Sequence, residues 1–521
     1  MSGNGTKGDA APSAGGARPL AVVVLFLAVT AALSVPILTH PLPPLTDYIN
    51  NLARAHVIAT IGTDADLQRY YSIEWRIIPN LMTDLAVPIL NRLTTIYRAG
   101  QLFTLSAFVL ILSGTFALNR VLFGRWSMVP IAAALLVYNE VLLVGVMNYV
   151  FGIGLALWAL ATWIALRERP WRFAASTVFV IALFFCHLFA LGLYGLGLLA
   201  FELRRLWAAR REAMAPRLFD FVAGGAPFLA AAALLVASPT LDLAGDIHWE
   251  PWGKLQGLLL AFTVYYYPVA ALLIAAMVLA VAWLMWRGSI RLHPVGWVLL
   301  LVGGVVYLAM PRVLFATHLA DQRLPIALAF MLLACTGIDL RQWFERSALA
   351  ALFVVLLAVR LIEVRTAWST LSPQIAEFLR SVRSLERGAR VLVVHGDRTA
   401  YEAGTISDFG LPHAASLATI ERSALVSNAF VVSGKHVLQV REPFRRFVNR
   451  DDRVPPSVDW LKRAAGPVDE TETIYWSQWP QHFDYVCVLF TKPGAANPDA
   501  AHLAPAVDGP GFQLYRVTQK F

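Results

Sequence analysis

One acidic residue stands where it could do chemistry. Asp47 lies in HPLPPLTDYINNLARAH (40–56), directly after the first apolar run of the chain. A carboxylate there could take the proton from an acceptor hydroxyl as a general base. It could also be no more than an acid in a first helical turn, favoured there by the helix dipole. Pro41, Pro43 and Pro44 stiffen the approach, and Thr46 is a candidate N-cap. Ile49, Leu52, Ala53 and then Ile58 or Ala59 recur at helical spacing. The spacing predicts an amphipathic helix over 47–60 lying along a membrane surface. Asp47, Asn51 and Arg54 would share its polar face.

A base of this kind acts without a cofactor if the leaving group is already a phosphate ester, and the site must then hold cations for that phosphate. Arg323 in HLADQRLP (318–325), Arg312 at the start of the same loop and His318 within it are the candidates. Arginine suits a bidentate grip on phosphate; Arg323 could equally pair with Asp321 or snorkel. His248, with Trp249 and Trp252, could face the same cavity, although interfacial tryptophans also serve as anchors. His187 sits between two apolar runs and reads as a structural histidine or a site residue. Asn139, Glu140 and Asn148 are polar residues in or beside spans, where an acid needs a partner.

The elements that must position these residues are membrane spans. Of 521 residues, 58% are hydrophobic and 15% charged, against about 25% charged in a soluble chain. The net charge of +9 comes from arginines clustered between apolar runs. That pattern sets topology and does not mark nucleic-acid binding. The clusters fall at 120–125, 167–172, 204–217, 287–291 and 341–346. If all are cytoplasmic, the spans between them come as hairpins. Eleven crossings result: 20–38, 101–119, 127–143, 147–166, 173–186, 188–203, 217–238, part of 257–286, 293–310, 324–340 and 347–364. Residues 1–19 read as a disordered cytoplasmic tail. Two large segments then face outward, the first loop 39–100 and the C-terminal 365–521. The latter reads as a separate soluble α/β domain, with strands at 389–397, 485–490 and 512–517, helices at 372–387 and 456–464, and turns near 493–510.

Cys186, Cys335 and Cys487 suggest no bridge, and no ligand spacing assigns a metal; divalent-metal use is left open. There is no GxxxxGK[ST], HExxH, GxSxG or dinucleotide fingerprint.

PLTDYINNLARAH, ADQRLP and NYVFGIGLALWAL together resemble the GT-C superfamily of integral-membrane glycosyltransferases, which carry an early catalytic acid in a long first loop. The resemblance implies a polytopic α-helical membrane protein of about eleven transmembrane helices over 20–364. It further implies a polyprenyl-phosphate-linked sugar as donor and a cell-envelope glycan, lipid or protein as acceptor. Asp47 would be the base and Arg323, helped by Arg312 or Arg54, would hold the phosphate. The tandem acidic pair of many members is absent, because Tyr48 follows Asp47. The expected location is the inner membrane, with the N-terminus cytoplasmic and the C-terminal domain extracytoplasmic. Two other classes fit the layout: a transporter or flippase for a lipid or glycan, and a non-catalytic assembly scaffold. Catalysis requires Asp47, His318 and Arg323 to converge on one cavity.

Overall fold

Long apolar runs leave the backbone no solvent partner, so they satisfy it internally as helices. The computed structural model describes residues 16–209, 214–243, 245, 247–315, 317–402, 406, 408–450, 454–465 and 474–518. The expected disordered tail lies outside these residues up to position 15.

Helix α1 (Pro19–Thr39) starts on a proline at its first position and is 21 residues long, enough to span. The first loop follows, with α2 (Tyr48–Thr60), α3 (Ala65–Tyr70), strand β1 (Tyr71–Ile73) and α4 (Met82–Asn91). Helix α5 (Ile96–Phe123) begins where the Thr95 side chain accepts from Arg98 N–H and ends at left-handed Gly124.

The stretch 127–143, expected as one span, is broken. A 3-10 turn (Val129–Ala133) leads into α6 (Ala134–Val137), and α7 (Glu140–Val144) starts afresh. The chain is extended at Tyr138–Asn139, and the Asn139 side chain caps the new helix by accepting from Leu142 N–H at 3.1 Å. Next come α8 (Met147–Ala165), α9 (Arg172–Cys186) and α10 (Leu188–Trp207). Extended His187 separates the last two and caps α10, so 173–203 is two helices as expected.

The remaining helices of the bundle are α11 (Met214–Ala223), α12 (Phe228–Val236), α13 (Gly253–Leu259), α14 (Tyr267–Trp286), α15 (Pro294–Ala309), α16 (Ala320–Ala334) and α17 (Trp343–Val382). Strands β2 (Ile290–Leu292) and β3 (Thr336–Ile338) pair antiparallel beside them. Among the described residues six helical stretches are long and apolar enough to cross a membrane: 19–39, 96–123, 147–165, 214–236, 267–286 and 343–382. Helices α9 and α15 are apolar but shorter. The expected eleven crossings are not reached on that criterion. This is a membrane protein with fewer plainly spanning helices than the arginine pattern suggests.

Helix α17 corrects the expected boundary at 365, which falls in its middle. Its 40 residues extend about 60 Å, twice a hydrocarbon core. It therefore leads from the bundle straight into the C-terminal region without a linker. That region holds β4 (Arg390–His395), α18 (Arg398–Glu402), α19 (Leu417–Arg422), β5 (Leu425–Val426), β6 (Leu438–Val440), β7 (Tyr485–Thr491), β8 (Leu503–Gly509) and β9 (Gly511–Val517). Five strands form one sheet, β5-β4-β7-β9-β8, parallel over β5, β4 and β7 and antiparallel thereafter. The three expected strands are β4, β7 and β9. Part of the stretch expected as turns, 503–509, is instead β8.

The first loop is bound to this region. β1 pairs antiparallel with β6, Tyr71 opposite Val440. Arg387 bridges Asp64 at 2.6 Å and Asp66 at 2.9 Å, and Ser423 Oγ donates to Asp64 at 2.6 Å. The two segments therefore lie on one side of the bundle.

Candidate active site

Helix α2 is not the surface helix that its periodicity suggested. Tyr48, Ile49, Leu52, Ala53, Ala55 and Val57 are all buried, and so are the polar Asn50 and Arg54. The helix is wedged between α4, α5 and the C-terminal region, so polar positions meet protein rather than lipid headgroups. Arg54 is the clearest correction. Its Nε donates to Asp84 of α4 at 2.7 Å, both side chains being 1% exposed. A guanidinium committed to a buried carboxylate is not available to a substrate phosphate.

Asp47 occupies the N-cap position of α2 in place of Thr46, yet its side chain makes no capping bond. The carboxylate thus stands at the helix start, where the dipole favours it, without closing a capping bond. Its backbone is sewn to the end of α7: Thr46 N–H donates to Leu143 at 2.8 Å and Asp47 N–H to Val144 at 2.9 Å. Gly145, at φ +85°, makes this approach possible; a Cβ there would sit 2.8 Å from Asp47 N. Asn51 Nδ2 reaches the Gly145 carbonyl at 3.4 Å. The Asp47 side chain remains 30% exposed.

Arg323 lies in the first turns of α16 and is 8% exposed. Its Nη2 donates to the His318 carbonyl at 3.1 Å, and Nη1 lies 3.3 Å from His187 Nε2. Tyr149 of α8 donates to its backbone carbonyl at 2.9 Å. Among the described residues no carboxylate is within ion-pair distance of Arg323. The negative charge of Asp47 is near enough to act on it electrostatically. Arg323 opens on a cavity lined by Val144, Val146, Leu260 and Ile326 together with the polar Glu140 and Gln322. Asp47 is tied through its backbone N–H to Val144, one of the residues lining that cavity.

The neighbouring candidates fall differently. Asp321 is taken by Lys254 at 2.9 Å, with Arg312 at 3.8 Å, and not by Arg323. Arg312 also faces Glu250 at 3.4 Å. The local pairing that threatened the case for Arg323 therefore belongs to Lys254 and, more distantly, to Arg312. His318 contributes its carbonyl while its side chain is exposed. His248 is exposed too, and meets the 310–323 loop through its backbone, accepting from Arg312 N–H at 2.7 Å. Asn148 is structural: its side chain accepts from Thr83 N–H and hydroxyl and donates to Asn80. Among the described residues no three His, Cys, Asp or Glu side chains group as a metal site.

One residue at the site was left between two roles by the sequence, and one escaped it. His187 was ambiguous between two roles, and the structure sets it beside Arg323. His413 had no signal at all; it arrives from the C-terminal region with Nε2 3.6 Å from Asp47 Oδ1. Nearby His395, at the end of β4, is pushed down to about 4 by burial and then by the charges of Arg398 and His413.

No known protein-family model and no curated protein sequence matches the chain. Among solved structures it is similar to ArnT from Cupriavidus metallidurans bound to undecaprenyl phosphate. The TM-score is 0.51 at 12% identity, over 96% of this chain and 98% of that one. At that identity the likeness speaks for the fold, and it extends through bundle and C-terminal region together. The chain shares the fold of that ArnT structure.

Proposed function

We propose that this protein transfers a sugar from a polyprenyl-phosphate-linked donor to a cell-envelope acceptor, with Asp47 as general base and Arg323 at the leaving phosphate. The observation that carries the reading is the state of Arg323. A buried guanidinium with no carboxylate at ion-pair distance among the described residues is costly unless an anion visits it. Besides Arg323, Gln322 and Glu140, its cavity is lined by Val141, Val144, Val146, Leu260, Leu319 and Ile326, a largely apolar wall that suits a phosphate carried on a lipid. The similar ArnT structure, bound to undecaprenyl phosphate, supports the same ligand class.

In the reaction Asp47 accepts the acceptor hydroxyl proton as that oxygen bonds to the anomeric carbon. The carbon–oxygen bond to phosphate breaks on the opposite face, and the phosphate leaves with the electron pair. Arg323 stabilises the charge that develops there. Inversion at the anomeric carbon follows from the single displacement. The contact between first loop and C-terminal region supports an acceptor approaching from the side they share, which this reading assigns to the outer face of the inner membrane.

The test uses purified protein and undecaprenyl-phosphate-linked sugars, with products followed by mass spectrometry. Asp47→Asn is expected to lose about 100-fold or more in transfer while still binding undecaprenyl phosphate. Arg323→Ala is expected to weaken that binding by about tenfold or more. Full transfer by Asp47→Asn overturns the assignment.

A further inference from the structure

The C-terminal region reaches Asp47 through His413, and the chemistry of that contact can be worked out from its far side. His413 Nδ1 lies 3.1 Å from Asn50 Nδ2. The Asn50 amide has only one workable orientation. Its Oδ1 accepts from Phe430 N–H at 3.1 Å, and its Nδ2 donates to the Asn428 carbonyl at 2.9 Å. An amide nitrogen can only donate, so Nδ1 of His413 must accept. A neutral imidazole then carries its proton on Nε2. That is the nitrogen facing Asp47 Oδ1 at 3.6 Å. The ring is also wedged edge-on against Phe430, centroids 4.9 Å apart. Asn50 is 1% and Asn428 6% exposed, so the lock is interior. A protonated ring would turn a second donor toward the Asn50 amide, which the arrangement opposes.

We infer that His413 is a positioning residue for the Asp47 base, with its Nε2–H facing Oδ1 and holding the carboxylate in the orientation that meets the acceptor. The inference rests on Asp47 being the base. It gives the C-terminal region a part in the reaction: the bundle supplies Asp47 and Arg323, and the docked region fixes how Asp47 points. A neutral donor suits this task, because it orients the carboxylate without the full positive charge that would weaken it as a base. Asn50, in the first turn of α2, ties the orientation of His413 to the same helix that Asp47 begins.

The experiment compares three forms of the full chain with wild type, using undecaprenyl-phosphate-linked sugars. His413→Phe keeps a ring against Phe430 but has no donor. His413→Gln restores an N–H at the end of the side chain. Asp47→Asn is run in parallel. His413→Phe is expected to lower kcat by about tenfold or more with the donor KM within about twofold of wild type. His413→Gln is expected to recover most of the loss. Equal kcat in His413→Phe, or no recovery in His413→Gln, overturns the proposal. A loss confined to melting temperature and KM does so too, since it would mark a purely structural contact. An inactive Asp47→Asn beside a normal His413→Phe refutes the positioning role alone, whereas an active Asp47→Asn removes the base itself. The tautomer can be read without turnover by 15N-histidine NMR, with His413→Phe assigning the resonance. A proton on Nε2, and a shift of that signal in Asp47→Asn, are expected; a proton on Nδ1 overturns the argument.

Discussion

Replacing Gly145 by alanine should displace the base without touching it. Gly145 has φ +85°, a conformation that costs an L-residue about 1–2 kcal/mol. Space is the second obstacle. The new Cβ would stand 2.8 Å from Asp47 N, 3.0 Å from Tyr48 N and 3.3 Å from Asp47 Cα, all rigid backbone atoms. Ordinary contact needs roughly 0.6 Å more. The movement must come where Asp47 N–H donates to Val144, so the segment carrying the carboxylate shifts away from the wall of the cavity. A misplacement of about 1 Å can cost about 100-fold, so a shift of about half that should cost on the order of tenfold. In barrier terms this is about 1.4 kcal/mol. Gly124→Ala is the matched control: φ there is +69°, with nothing within 4 Å of the added Cβ. Both variants carry the backbone strain, and only one moves Asp47. The assay is the initial rate of transfer from the lipid-linked donor, with melting temperature measured alongside. If Gly145→Ala keeps its rate within about twofold of wild type while melting like Gly124→Ala, the position of Asp47 does not limit transfer.

Two further outcomes follow from the first loop. Asp84→Ala strands the buried Arg54 guanidinium and should cost about 3–5 kcal/mol, seen as a fall in melting temperature; Arg54→Met with Asp84→Leu should regain most of it. The double variant should also keep its affinity for undecaprenyl phosphate, because Arg54 faces Asp84 and not the cavity. Asp64 carries a pH signature. Burial raises its carboxyl, but bonds from Ser423 and Leu67 N–H and the charge of Arg387 outweigh this and hold it below the ordinary 3.8. A carboxyl held low in the folded state stabilises fully above its ordinary value and loses that contribution as pH falls through the lower one. Wild type and Asp64→Asn should therefore differ by a constant melting interval above about pH 5, closing only at pH below 3.8.

The chain order of helices was legible because an apolar run is a local property. So were β4, β7 and β9, whose Val-rich and aromatic runs have no other use. The hairpin at 173–203 followed from arginines on both sides of it, and His187 is where it turns. Local reasoning failed where a residue's partner came from elsewhere in the chain. The face of α2 looked amphipathic because sequence spacing cannot tell headgroups from protein; Asn50 meets Phe430 and Asn428, and Arg54 meets Asp84. The stretch 127–143 looked like one span because nothing in its apolar content registers the cap at Asn139.

The sequence by itself determined that this is a membrane protein, that an acid follows its first span, and that Arg312 and Arg323 share one late loop. Only the tertiary structure decided between those two arginines. Asp321 could have paired with either, and packing gave it Lys254 and Arg312, leaving Arg323 beside a largely apolar cavity within reach of the Asp47 charge. Packing likewise brought His413 to Asp47 across most of the chain. The reason is physical: burial is set by composition along the chain, whereas a charge takes whichever partner the folded chain brings near it.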